Sequence, residues 1–87
     1  MNADTAIERI VHEFNRATVK HGAMRGPHEG YAVILEELDE LWDEVKRQPM
    51  DFEAMRKEAT QVAAMAFRFL VDVIPDGTDP AEGKERE

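Results

Sequence analysis

Cysteine is absent, which removes disulfides, zinc–thiolate sites and thiol nucleophiles together and fits a reducing compartment. No long apolar run occurs and the N-terminus has no basic flank, so neither a membrane span nor a signal peptide is expected. The location expected on that basis is cytoplasmic. Positive charge is scarce: 11 Lys and Arg stand against 19 Asp and Glu, for a formal net charge of −8. Non-specific nucleic-acid binding needs a basic face for the phosphates, and this balance argues against it. An anionic ligand would need a cation to bridge it. Residues are few as well. A chain of 87 makes one small domain that buries a modest fraction of its surface, and a partner chain would help it.

What is present is helical periodicity. From Tyr31 to Glu44 the chain reads YAVILEELDELWDE, with six carboxylates between Glu36 and Glu44. Tyr31, Ile34, Leu35, Leu38, Leu41, Trp42 and Val45 fall on one side at helical spacing, which predicts an amphipathic helix. Ile34, Leu38, Leu41 and Val45 form the stripe centre, with Glu37 and Glu44 on its border and Glu40 further round the same flank. Like charges three and four apart, such as Glu37 with Glu40, destabilise a helix by roughly 0.2–0.5 kcal/mol per pair. A divalent cation with oxygen ligands would offset that repulsion, and so would bulk solvent and salt around an exposed acidic face.

The first helix is expected to open at Thr5, where Thr5-Ala6-Ile7-Glu8 has the capping-box spacing. Ile7, Ile10, Val11, Phe14 and Ala17 give it one buried face, and Gly22 ends it. Asn15, Arg16, Lys20 and His21 sit near its C-terminal end, where the helix dipole favours cations; solvation or phosphate contact would each account for them. Gly22 to Gly30 is an irregular link broken at Gly26-Pro27, and the central helix starts near His28 and runs to about Arg47. His12-Glu13 and His28-Glu29 start like a zinc-protease motif, but Arg16 and Ala32 stand where its second histidine belongs. Pro49 breaks the chain, Asp51 suits an N-cap, and a third helix runs from about Phe52 to Val73. Its apolar residues cover well over half its circumference, so it is buried on more than one side. Three helices cannot surround it. A homodimer follows, in which the second and third helices of each chain build a four-helix bundle. Residues 1–74 form the all-α domain. Residues 75–87, with five acids and two bases, read as a disordered tail.

The short turn at Pro49 makes the second and third helices an antiparallel hairpin. Glu40 lies nine residues before it and Glu58 nine after, which sets them at one height on adjacent helices. Glu37 and Gln61 are counterparts about 4.5 Å further along. Glu58, Gln61, Met65, Arg68 and Asp72 form one strip of the third helix, and Arg68 and Asp72, four apart, can pair.

Glu36-Glu37-Leu38-Asp39-Glu40 followed by Glu58-Ala59-Thr60-Gln61 resembles the EExxE and ExxD pair of the MazG-like, all-α nucleoside triphosphate pyrophosphatases. The resemblance covers residues 28–74, and the family's first helix would correspond to residues 5–21. It implies a dimer or dimer of dimers, Mg²⁺ (or Mn²⁺) as cofactor, and hydrolysis of a nucleoside triphosphate to monophosphate and pyrophosphate. Glu37, Glu40 and Glu58 then take metal-ligand positions, with Glu36 as a neighbouring acid that orients water. Gln61 departs from the pattern, because it stands where the family has aspartate. An amide oxygen can coordinate Mg²⁺ but brings no charge. Arg16, Lys20 and Arg68 are candidates to hold phosphate oxygens. His28, Tyr31 and Trp42 are candidates to line a base pocket between the first helix and the hairpin; for Trp42, packing or dimer contact is the alternative, and for His28 a plain helix-start role. A non-catalytic helical dimer acting as a regulator is the competing reading, with Gln61 as its evidence.

Overall fold

In the computed structural model residues 1–77 are described; residues 78–87, most of the expected tail, lie outside the described residues. Three helices and no strand occur among the described residues: α1 (Ala3–His21), α2 (Pro27–Lys46) and α3 (Phe52–Asp72). The all-α, three-helix expectation agrees with this.

Local chemistry sets the ends. α1 opens two residues earlier than the capping box suggested, because the Asn2 side chain accepts from Thr5 N at 2.9 Å and Thr5 is already inside the helix. Gly22 closes it at φ 74°, a left-handed position where a side chain would be strained, and donates its N–H to Thr18 O. Pro27 begins α2, where its missing N–H costs nothing. Glu29 reaches back to the link and accepts from Arg25 N at 3.1 Å and Arg25 Nε at 2.8 Å. Asp51 caps α3 by accepting from Ala54 N at 3.1 Å, after a turn through a cis Gln48–Pro49 bond.

α3 is the centre of the protein. It packs against α2 on one side and α1 on the other, while no Cα of α1 comes within 8 Å of a Cα of α2. α2 runs antiparallel to α3, as the meeting of Gly30 with Phe69 at one end shows. α1 runs parallel to α3: Arg68 Nη2 donates to Gly22 O at 2.6 Å and Met24 N donates to Asp72 Oδ2 at 3.0 Å, so the C-terminal ends lie together. The buried core is small, namely Ala17, Met24, Ala64 and Met65, with Ile10, Val33, Ile34, Phe69 and Val73 packed against it. Phe14 and Phe67 stack at 4.7 Å in tilted geometry across α1 and α3.

The apolar surface of α2 is divided between two faces. Gly30, Val33, Ile34, Glu37, Leu41 and Glu44 turn inward and are buried or half-buried. Tyr31, Leu35, Leu38, Trp42 and Val45 are exposed. Leu38 and Val45, expected at the stripe centre with Ile34 and Leu41, therefore sit on the outer face. One neighbouring helix covers only one strip, and the period of the pattern does not say which. On α1, Ile7 and Val11 are likewise exposed rather than buried, because α3 reaches only the side that carries Ile10 and Ala17.

Gly30 is a close-approach position. A Cβ there would stand 2.6 Å and 2.9 Å from two Phe69 ring carbons and 3.2 Å from Met24 Sδ. Alanine would gain up to about 1 kcal/mol of helix propensity, against about 1–3 kcal/mol for overpacking a closed contact. Gly30→Ala is expected to lower the melting temperature by several degrees in a thermal denaturation series; a variant as stable as the parent would mean the α2–α3 contact is looser than this.

Candidate functional site

α1 and α2 splay apart over α3 and leave a cavity of about 480 Å³, within the range of small-molecule sites. Its floor is the α3 strip Glu58, Gln61, Met65 and Arg68; its α2 wall carries Glu36, Glu37 and Glu40; its α1 wall carries Glu13, Arg16 and Lys20. The fold thus brings together Glu36, Glu37, Glu40, Glu58, Gln61, Arg16, Lys20 and Arg68, all singled out from the sequence. His28, Tyr31 and Trp42 do not line it. His28 and Tyr31 are exposed at the start of α2, and Trp42 stands on the outer face, 56 % exposed, with Lys46 Nζ 5.4 Å from its ring centroid.

The cavity has two electrical poles. At one, Glu36, Glu37 and Glu40 each offer an oxygen, all within 4.8 Å of one another. Burial pushes the Glu37 carboxyl above the ordinary carboxylate value, and Glu40, Glu58 and Glu36 push it further. Burial raises Glu58 as well, followed by Glu40, with Lys57 opposing. Glu58 Oε2 is buried and accepts no hydrogen bond. Glu58 stands outside the tightest carboxylate set but within its field, so the hairpin register inferred from positions 40 and 58 agrees with the geometry.

At the other pole lies Glu13, which sequence reasoning missed. It is buried on α1, with its side chain 12 % exposed, and accepts from Arg16 Nε at 2.9 Å and Nη2 at 2.6 Å. Arg16 holds its carboxyl below the ordinary value against the opposing effect of burial, and Gln61 helps. A signal was available: Glu13 falls three residues after Ile10 and four before Ala17, on the buried stripe of its helix. Arg68 is 4 % exposed, donates to Gly22 O and to Met65 Sδ, and approaches Asp72 Oδ2 at 4.0 Å. The expected Arg68–Asp72 pairing is present, and together the two side chains tie the α1–α2 link to α3. Lys20 is in no ion pair among the described residues.

The pH response of the metal-free chain follows. Glu37 and Glu58, raised in the fold, contribute stability below the ordinary carboxylate pKa, and that contribution is lost as pH rises through their raised values. Glu13 and Glu29, lowered in the fold, do the reverse: their contribution is present above the ordinary value and is lost as pH falls through the lowered one. Glu58→Gln is expected to raise the melting temperature by a few degrees at pH 7 in EDTA, and to leave it near the parent's at pH 4, where Glu58 is already protonated. Equal shifts at both values would mean that Glu58 is not held under charge repulsion. The chain matches no protein-family model, no curated protein and no solved structure.

Proposed function

We propose that the chain is a Mg²⁺-dependent nucleoside triphosphate pyrophosphohydrolase of the MazG-like kind, with a nucleotide-pool or house-cleaning role. The observation that carries this reading is the cavity itself: carboxylates from α2 and α3 face cations from α1 across a space large enough for a nucleotide's phosphates. The donor set suits a hard divalent cation, being oxygen only and closely spaced. The burial and the neighbouring charges that raise Glu37 and Glu58, and the unsatisfied Glu58 Oε2, are costs that such a cation would relieve. Glu37, Glu40 and Glu58 would hold it, with Glu36 beside them and Gln61 at the position where the resemblance has aspartate.

Bound Mg²⁺ would supply Lewis acidity at the phosphoryl oxygens and a water of lowered pKa. The rest falls to the chain. Arg16 and Lys20, on the opposite wall, are placed to hold phosphate oxygens, and Lys20 is free to do so among the described residues. Glu36 is exposed at the cavity edge and can accept a hydrogen bond from the attacking water, setting its direction. Arg68, already committed to Gly22 O, keeps the floor and the link in register.

The exposed apolar residues of α2, together with Phe67, Leu70 and Val71 of α3 and Ile74 just beyond it, support a homodimer in which both hairpins form a four-helix bundle, alone or as a dimer of dimers. Gln61 favours a second reading, a helical dimer that keeps the fold without the chemistry and acts as a regulator. Incubation with each common NTP and dNTP plus Mg²⁺ separates the two by pyrophosphate release. Absence of release with every nucleotide, together with no change in melting temperature on adding Mg²⁺, would remove the enzyme and leave the regulator.

A further inference from the structure

Gln61 has a neighbour that explains an amide at this position. Glu13 and Gln61 both line the cavity described above and also a wide groove between the N-terminal halves of α1 and α3, so the two side chains share the wall that separates these spaces. Arg16 is on the same wall. Glu13 engages Arg16 in a two-pronged pair through Nε and Nη2, with the carboxylate mostly buried and the guanidinium 51 % exposed, which leaves the rest of the fork open to a ligand. An aspartate at 61 would bring a second anion to the buried Glu13 carboxylate, whereas an amide can donate to it.

We infer that Gln61 serves α1 rather than the metal: it braces Glu13, Glu13 grips Arg16, and the three side chains form one cross-helix clamp that presents Arg16 to an anionic ligand. The effect of Gln61 on the Glu13 carboxyl, which it helps hold in the charged form, agrees with this. Glu13 and Gln61 are then positioning residues for the cationic pole. A clamp of this kind also serves the function proposed above, on which the identity of the anion as a phosphate chain rests. A flexible arginine loses side-chain freedom on meeting a phosphate, and one already held in place loses less.

The test uses the full chain with inorganic pyrophosphate and Mg²⁺ as probes in titration calorimetry. Glu13→Gln is expected to weaken pyrophosphate binding about tenfold while Mg²⁺ alone binds within twofold of the parent. Gln61→Asp is expected to weaken pyrophosphate too, without tightening Mg²⁺. In an Arg16→Lys background, Glu13→Gln should add little further loss, because the fork it steadies is gone. The inference is overturned if Gln61→Asp tightens Mg²⁺ and leaves pyrophosphate binding intact, if Glu13→Gln leaves pyrophosphate affinity unchanged, if the Glu13 and Arg16 losses multiply, or if the parent binds no pyrophosphate. Hydrolysis of nucleotides is measured separately: binding with these couplings but no turnover sinks the enzyme and keeps the clamp, and turnover without the couplings does the opposite.

Discussion

Glu40→Gln is expected to lower the proposed pyrophosphate release by about 10²- to 10³-fold and at the same time to raise the melting temperature of the metal-free chain. Both effects come from one position. Glu40 is the strongest charge acting on Glu37 and on Glu58, and it is part of the tightest carboxylate set. As the metal ligand proposed above it would contribute to an interaction worth several kcal/mol in the transition state, and each 1.36 kcal/mol is a factor of about ten in rate. Without a metal it is a repulsive neighbour to two half-buried acids, and neutralising it removes that repulsion. An amide in its place keeps the shape and the hydrogen-bonding oxygen, so loss of packing does not account for lost activity. The two measurements are nucleotide turnover with Mg²⁺ and thermal unfolding in EDTA. A variant as active as its parent, or one that melts earlier without metal, means that Glu40 is not the hub of the acidic pole.

Leu38→Glu is expected to convert the proposed dimer to a monomer. Tyr31, Leu35, Leu38, Trp42 and Val45 are spaced four, three, four and three along α2, all exposed on the single chain. That spacing is the seam of helices packed at a shallow angle, and Leu38 is its middle residue. A glutamate there would be buried without a partner, beside a helix already rich in acids, and a two-fold interface counts the substitution twice. Sedimentation should show the mass fall from twice 9.9 kDa to 9.9 kDa. The core of the single chain contains few fully buried side chains, so the released protomer should also melt earlier. Ile7→Glu, on the exposed face of α1, is the control and should leave the dimer intact. A parent already at 9.9 kDa, or a Leu38→Glu chain that stays paired, would remove the bundle and assign the outer face of α2 no role in assembly.

The sites of helix ends were legible in the sequence because they depend on local chemistry. Gly22, Pro27 and Asp51 each close or open a helix as expected. The start of α1 was misplaced by two residues because two capping groups, Asn2 and Thr5, compete for the same turn, and the asparagine wins Thr5 N. The meeting of Glu37, Glu40 and Glu58 was also legible, since a short turn and a constant rise per residue set the register of a hairpin by counting alone. Glu13 was weighed only as half of a zinc-protease pair with His12, although its place on the apolar stripe marked it as a buried acid. His28 and Trp42 were named for the cavity on residue type, and type does not give direction.

By itself the sequence determined the three helices found among the described residues, where each begins and ends to within about two residues, and which acids share a level of the hairpin. Only the tertiary structure decided which face of α2 turns inward, that α1 stands off from α2 to leave a cavity, and that Glu13 and Arg16 form its opposite pole. The division has a physical cause. Caps, turns and helical rise act between residues a few positions apart, whereas the choice among apolar faces depends on how many neighbours are available to cover them, and that is a property of the whole assembly.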